Sequence, residues 1–167
     1  PTSLIDFSKS ILFSLGFGSN FYFYFTGLEY GAESGLLKPL LHTWSLAIEE
    51  QFYLFFPLIF FLIFKFYYNF KIKIVIAMIL ASLAFAIFFS SVNSSLNFYL
   101  IFSRIWEILI GTLIFFFEKF RVKQPSTFQS NLFVTLGLII ILFSFISIES
   151  SKGHPNISSL LPVLSVG

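Results

Sequence analysis

The chain has 167 residues, of which 57% are hydrophobic and only 11% charged, with a formal net charge of +2 and no cysteine. A soluble domain is about half apolar and roughly a quarter charged, so a chain this poor in charge cannot cover its own surface in water. That excludes a soluble domain, a disordered tail, a coiled coil and a phosphate-tracking nucleic-acid binder, and the missing cysteines exclude a disulfide scaffold, a zinc–thiolate site and a thiol nucleophile. Mean hydropathy is +0.90, in keeping with a chain that meets lipid. The sequence opens on Pro1 without the charged, apolar and small-residue order of a signal peptide, and is expected to be a piece of a longer polypeptide.

A bilayer core about 30 Å thick requires about 20 apolar residues of helix. Five stretches approach that length: Ser10–Leu28, Thr43–Phe64, Ile72–Val92, Phe98–Phe117 and Asn131–Ile148. A sixth begins near Ser159 and is cut off at Gly167. Continuous apolar runs, without the alternation of a transmembrane barrel, favour helices because an open sheet edge in lipid leaves backbone groups unpaired. The expected architecture is therefore all-α: one polytopic transmembrane helical bundle over residues 1–167, with five complete spans and the start of a sixth. Pro57 falls inside the second span, where it is expected to kink the helix.

Basic residues set the expected orientation. Lys65, Lys71 and Lys73 share one connection, Lys119, Arg121 and Lys123 share another, and Lys9 precedes the first span. The remaining connections carry only Lys38 and Lys152. By the positive-inside rule the first group is cytoplasmic, and the loops at 29–42, 92–97 and 150–158 face outward.

Ionisable residues at membrane depth need a reason, because a charge near the bilayer centre costs about 2.5–3.5 kcal/mol on insertion scales. The run His42-Thr43-Trp44-Ser45-Leu46-Ala47-Ile48-Glu49-Glu50-Gln51-Phe52-Tyr53 holds the first cluster. At about 100° per residue, His42, Ser45, Glu49 and Tyr53 fall within about 80° of one another. Trp44, Ala47 and Gln51 then point broadly to the other side, and Glu50 lies about 100° from Glu49. Imidazole, hydroxyl, carboxylate and phenol on one stripe are the inventory of a proton-handling site. The plainer reading makes His42 an interfacial residue and the two glutamates first-turn acids favoured by the helix dipole.

The second cluster is Ser103-Arg104-Ile105-Trp106-Glu107, followed by Gly111. Arg104, Glu107 and Gly111 stand at i, i+3 and i+7, one face of a helix, where Arg104 and Glu107 can pair in lipid and Gly111 can admit a neighbouring helix. Either the pair only locks two helices together, or Arg104 keeps donors for a carboxylate, a phosphate or a thioester oxygen. Both clusters fall in the expected outer half of the membrane and can meet across one cavity. His154 and the acceptor patterns Asn93-Ser94-Ser95 and Asn156-Ile157-Ser158 are weak signals. No metal-ligand spacing, phosphate loop or nucleophile elbow occurs, and no metal is expected.

The run LLHTWSLAIEEQFYLFFPLIFF closely resembles the signature of the acyltransferase 3 family, integral-membrane O-acyltransferases of cell-surface carbohydrates. SNFYFYF, NFYLIFSRIWEILIGTLIF and HPNISSLLPVLS resemble that family in its order, so the likeness spans almost the whole chain. It implies an enzyme of about ten helices, of which this chain is the middle of the membrane domain. The implied reaction moves an acyl group, usually acetyl, from cytoplasmic acyl-CoA to a hydroxyl of a surface polysaccharide, lipopolysaccharide or peptidoglycan. Acyl-CoA is then a donor substrate, with no permanently bound cofactor. Membrane lipid and the missing parts of the same polypeptide are the implied partners, nucleic acid is not, and the expected location is the bacterial inner membrane.

By the same resemblance, Glu49, His42, Ser45, Arg104 and Glu107 are catalytic candidates, with Glu49 foremost. Trp44, Glu50, Gln51, Tyr53 and Trp106 are candidates for binding substrate. The family's early histidine, thought to be its catalytic base, and its glycine-rich second-helix motif have no counterpart here, so the piece alone is not expected to catalyse. The signature also looks like the branch that often carries a secreted-type hydrolase domain. From a different class, a transporter or flippase segment also explains intramembrane Glu and Arg, and a structural membrane subunit explains the hydropathy alone.

Overall fold

The computed structural model describes residues 2–27, 38–119, 125–147, 155 and 159–166. All of the described regular structure is helical: α1 Thr2–Leu15, α2 Ser19–Phe25, α3 Thr43–Phe66, α4 Lys71–Val92, α5 Ser94–Tyr99, α6 Ile105–Lys119, α7 Thr127–Ser147 and α8 Leu160–Val166. Three described helices are long and apolar enough to cross a membrane, over Thr43–Phe66, Tyr68–Val92 and Thr127–Ser144. They match the second, third and fifth expected spans. Their large side chains are mostly exposed, among them Leu54, Leu58 and Phe61 on α3 and Leu138, Ile139 and Phe143 on α7. In water such a surface is untenable; against lipid it is the surface required.

The first and fourth expected spans are not continuous helices. The first breaks at Gly16-Phe17-Gly18, where Phe17 takes a left-handed φ of 54° and the Gly18 N–H returns to the Phe13 carbonyl at 2.8 Å. The chain then folds back on itself. The Phe13 and Tyr22 rings stack at 5.1 Å, and the Tyr22 hydroxyl donates to the Asp6 carbonyl at 3.1 Å. Lys38, just ahead of α3, pairs with Asp6 at 3.9 Å. So α1 and α2 make a helical hairpin that leaves from and returns to the α3 N-terminal end, and the expectation that Lys9 and Lys38 lie on opposite sides of the first span does not hold. The turn reaches the level of Gln51, about 12 Å down α3 from Thr43 at 1.5 Å per residue.

The fourth stretch is broken between Tyr99 and Ile105 by a 3₁₀ turn over Ile101–Ser103. Its lower piece, α6, has 15 residues, about 22 Å of helix, too short to span alone. It nonetheless runs along α4, with Val75 and Ile79 of α4 packed on Trp106, Leu109 and Ile110 of α6. The helix expected near Ser159 begins as α8. Pro57 stands inside α3, where it removes one backbone hydrogen bond.

Two buried clusters hold the bundle together. One joins Tyr22, Phe23, Leu41, Trp44, Ile48 and Tyr99 at the α3 N-terminal end. The other joins Phe52 to α4 and α6 below it. An i, i+4 ladder on α3 extends the second downward, with Phe52–Phe56 and Phe56–Phe60 centroids 4.2 and 4.0 Å apart and Phe116 of α6 at 6.0 Å from Phe60. At Gly111 an added side chain would meet nothing within 4 Å among the described residues. The close approach is at Gly137 of α7, where an added Cβ would lie 2.5 Å from the Ser165 carbonyl oxygen of α8.

Candidate functional site

Between the two clusters lies a cleft of about 90 Å³, lined by Trp44, Ser45, Ile48 and Glu49 of α3 with Arg104, Glu107 and Ile108. The space holds roughly three waters at about 30 Å³ each. The α3 contribution is an i, i+1, i+4, i+5 face. Taking Trp44 as 0°, Ile48 and Ser45 are central and Glu49 lies at about 140°. His42 and Tyr53 fall at about 160° and 180° on the same scale, past the rim. The polar stripe is thus real as geometry, but only its middle, Ser45 and Glu49, enters the cleft. His42 is exposed at the helix start, and its carbonyl accepts a 3.2 Å bond from Ser45 Oγ. Tyr53 is exposed.

Arg104 is held on several sides. Its guanidinium carbon lies 4.7 Å from the Trp44 ring centroid and 5.1 Å from that of Phe98. Its Nε donates to the Phe98 carbonyl at 3.1 Å, and a terminal nitrogen lies 3.8 Å from Glu107 Oε2. The guanidinium therefore sits against one side of the packed Trp44–Phe98 ring pair, a cation–π contact that adds to its hydrogen bond and ion pair. The Trp44 ring, expected to point away from this side, reaches round to make one wall and packs on Phe98 with centroids 4.3 Å apart. Glu49 stands across the cleft, exposed. Glu107 pairs directly with the guanidinium, and Glu49 adds a second carboxylate to the same cleft lining.

The other sequence candidates lie elsewhere. Glu50 is half-buried outside the cleft lining. Trp106 has no exposed surface and packs in the lower core, with an indole N–H that finds no partner among the described residues. Gln51 turns toward the hairpin, where its Nε2 donates to the Phe17 carbonyl at 2.6 Å and to Asn20 Oδ1 at 2.9 Å. It also borders a larger apolar groove of about 780 Å³ between the hairpin turn, α3 and the 3₁₀ turn. Among the described residues no group of three or more His, Cys, Asp or Glu comes together to hold a metal. His154, Lys152, Arg121, Lys123 and the 156–158 pattern lie outside the described residues.

Several polar residues that the sequence reading passed over are buried around this site. Asn20 is fully buried and donates to the Tyr99 carbonyl at 3.0 Å. Ser19 donates to the Thr43 carbonyl at 2.8 Å. Ser82 of α4 donates to the Phe102 carbonyl at 2.6 Å and accepts from the Trp106 N–H at 3.1 Å. Ser82 is one polar residue in an apolar run and Ser19-Asn20 one polar pair, with no periodic signal to mark them.

Comparison with known proteins agrees in part with this picture. The chain is 37% identical over 59 residues to the O-acetyltransferase OatA of Staphylococcus aureus, a match covering 35% of this chain and 10% of that protein. It is 42% identical over 57 residues to the peptidoglycan O-acetyltransferase OatA of Listeria monocytogenes, covering 34% and 9% respectively. A putative O-acetyltransferase of Staphylococcus aureus matches at 39% over 57 residues. The chain thus spans about a tenth of the length of these relatives. No protein-family model and no solved structure matches it.

Proposed function

We propose that the chain is the middle of the membrane domain of an acyltransferase 3-type enzyme, which transfers an acyl group, acetyl in the first instance, from acyl-CoA to a hydroxyl of a cell-surface polysaccharide, lipopolysaccharide or peptidoglycan sugar. The observation that carries this reading is the meeting of Glu49, Arg104 and Glu107 in one cleft, on a chain partly similar to O-acetyltransferases. In the transfer, a sugar oxygen bonds to the thioester carbonyl carbon, the carbon–sulfur bond breaks, and the hydroxyl proton ends on the departing thiolate. Glu49, the carboxylate opposite the guanidinium, is assigned to accept or steer that proton. Arg104 is assigned to the negative charge that develops on the carbonyl oxygen, held beforehand by the Phe98 carbonyl, Glu107 and the Trp44–Phe98 ring pair. Glu107 balances Arg104, and Ser45, on the cleft wall, is assigned to orient the acceptor. The bacterial inner membrane is the proposed location.

The test uses the complete polypeptide in membranes with labelled acetyl-CoA, following label into surface polysaccharide. At equal abundance, Glu49→Gln is expected to lower transfer by roughly 10²–10⁴-fold, the range of general acid–base contributions. Arg104→Ala is expected to lower it by roughly 10²–10³-fold, as loss of an oxyanion donor does. Full activity in Glu49→Gln removes its assigned role. Wild-type protein that moves no label to any acceptor overturns the transferase reading itself.

A further inference from the structure

A helix that breaks inside an apolar environment leaves backbone carbonyls without partners, and each one unpaired is expensive. The last α-helical bond of α5 runs from the Leu100 N–H to the Leu96 carbonyl at 3.0 Å. The carbonyls of Asn97, Phe98 and Tyr99 lie beyond it, and each is met by a side chain. Ser103 Oγ bonds the Asn97 carbonyl and, at 2.7 Å, that of Leu100. Arg104 Nε takes Phe98 at 3.1 Å. Asn20 Nδ2 takes Tyr99 at 3.0 Å. Ser103 belongs to the break itself, so it does not fix it relative to the rest of the fold. Asn20 does, across 79 residues of sequence, together with Asn97 Nδ2, which donates to the Pro155 carbonyl at 2.7 Å, Ser82 on the Phe102 carbonyl, and the Trp44 ring against Phe98 and Arg104.

Asn20 is itself held. It is fully buried, and its Oδ1 accepts from Gln51 Nε2, which also grips the Phe17 carbonyl in the turn of the hairpin. The two interruptions in the bundle, at Gly16–Gly18 and at Leu100–Arg104, are therefore joined through one amide pair anchored on α3. The Phe98 ring and carbonyl that hold Arg104 sit next to the peptide that Asn20 clamps.

We propose that Asn20, backed by Gln51, is a positioning residue: it fixes the 97–100 backbone and thereby sets the orientation of the Arg104 guanidinium in the cleft. This rests on the acyl-transfer reading for its catalytic consequence, but not for its geometry. Without the clamp, the 97–100 backbone is free to shift and the Phe98–Arg104 contact loosens. A misplacement of this kind costs on the order of tenfold or more in a positioned reaction.

The experiment replaces Asn20 by Leu in the complete polypeptide, an exchange of similar size that removes both donor and acceptor. Two quantities are read. Acyl transfer is expected to fall on the order of tenfold in kcat, with KM for acetyl-CoA little changed, since Arg104 is assigned to the developing charge. Separately, modification of Arg104 by phenylglyoxal, read by mass spectrometry on its own peptide, is expected to quicken several-fold relative to Arg121, while the protein still elutes as one species. Unchanged Arg104 modification overturns the proposal whatever the activity. So does unchanged transfer beside quickened modification. Wild-type protein that transfers nothing defeats the transferase reading alone, and the modification rate still decides the positioning. If Asn20→Leu does not accumulate, Asn20→Ser, too short to reach Tyr99, takes its place with the same expectations.

Discussion

At the scale of single residues, the arrangement around Arg104 separates shape from charge. Its Nε bond to the Phe98 carbonyl, its ion pair with Glu107 and its contact with the Trp44–Phe98 ring pair are made at once by different parts of the planar fork, which the single ammonium of a lysine does not reproduce together. Arg104→Lys is therefore expected to resemble Arg104→Ala in acyl transfer, whereas Trp44→Phe, which keeps a ring face, retains most activity and Trp44→Leu does not. Transfer at matched abundance across the four variants checks this, and an active Arg104→Lys shows that charge alone suffices. The residues that form the cleft were legible in the sequence where they were polar or charged on a helical period: Ser45, Glu49, Arg104 and Glu107. Asn20 was not, because its meaning depends on Tyr99 and Gln51, which only the folded chain brings to it. Trp106 was over-read, since an aromatic beside a charged pair is also what a helix core requires, and there it is.

At the scale of elements, hydropathy located the three long helices and overlooked the two interruptions. Nothing in a count of apolar residues distinguishes a continuous helix from one that turns, provided the freed backbone groups find partners. Here they do, at Ser82, Ser103, Arg104, Asn20 and Gln51. The Gly-Phe-Gly run marks the first break, with Phe17 itself in the left-handed region that costs a non-glycine residue about 1 kcal/mol or more. Ser82 tests the second. It is buried, and its hydroxyl joins the Phe102 carbonyl to the Trp106 N–H across the break. Ser82→Ala strands both groups and is expected to destabilise the solubilised protein by about 1–3 kcal/mol, seen as a lower melting temperature. Gly137→Leu is expected to separate α7 from α8, because its side chain would collide with the Ser165 backbone. An unchanged melting temperature in Ser82→Ala means the break is held without it.

At the scale of the whole molecule, the hairpin changes how the chain is threaded. In α4, Lys71 and Lys73 stand at one end and the uncharged Asn93–Asn97 segment at the other, 22 residues apart in helix, about 33 Å and enough to cross. Positive charge marks the lysine end as cytoplasmic. Because Asp6 lies against Lys38 ahead of α3, the start of α1 is expected on the same side as Ser94, opposite Lys73. Counting five uninterrupted spans puts it on the cytoplasmic side instead. Single cysteines at Leu4, Ser94 and Lys73, all exposed positions, placed in a polypeptide otherwise free of cysteine, decide between these with a membrane-impermeant maleimide. Labelling of Leu4→Cys and Ser94→Cys from outside, with Lys73→Cys protected, is the expected result. It also locates the chemistry. Glu49 lies 16 residues above Lys65 on α3, about 24 Å, so this outcome puts the cleft near the outer face, the side on which the proposed acyl transfer requires the carbohydrate acceptor and to which it requires the thioester to reach. Labelling of Leu4→Cys only after permeabilisation shows that α1 and α2 cross after all, and the hairpin must be abandoned. If Lys73→Cys is the one labelled from outside, the cleft opens toward the cytoplasm and the acceptor has to be sought there.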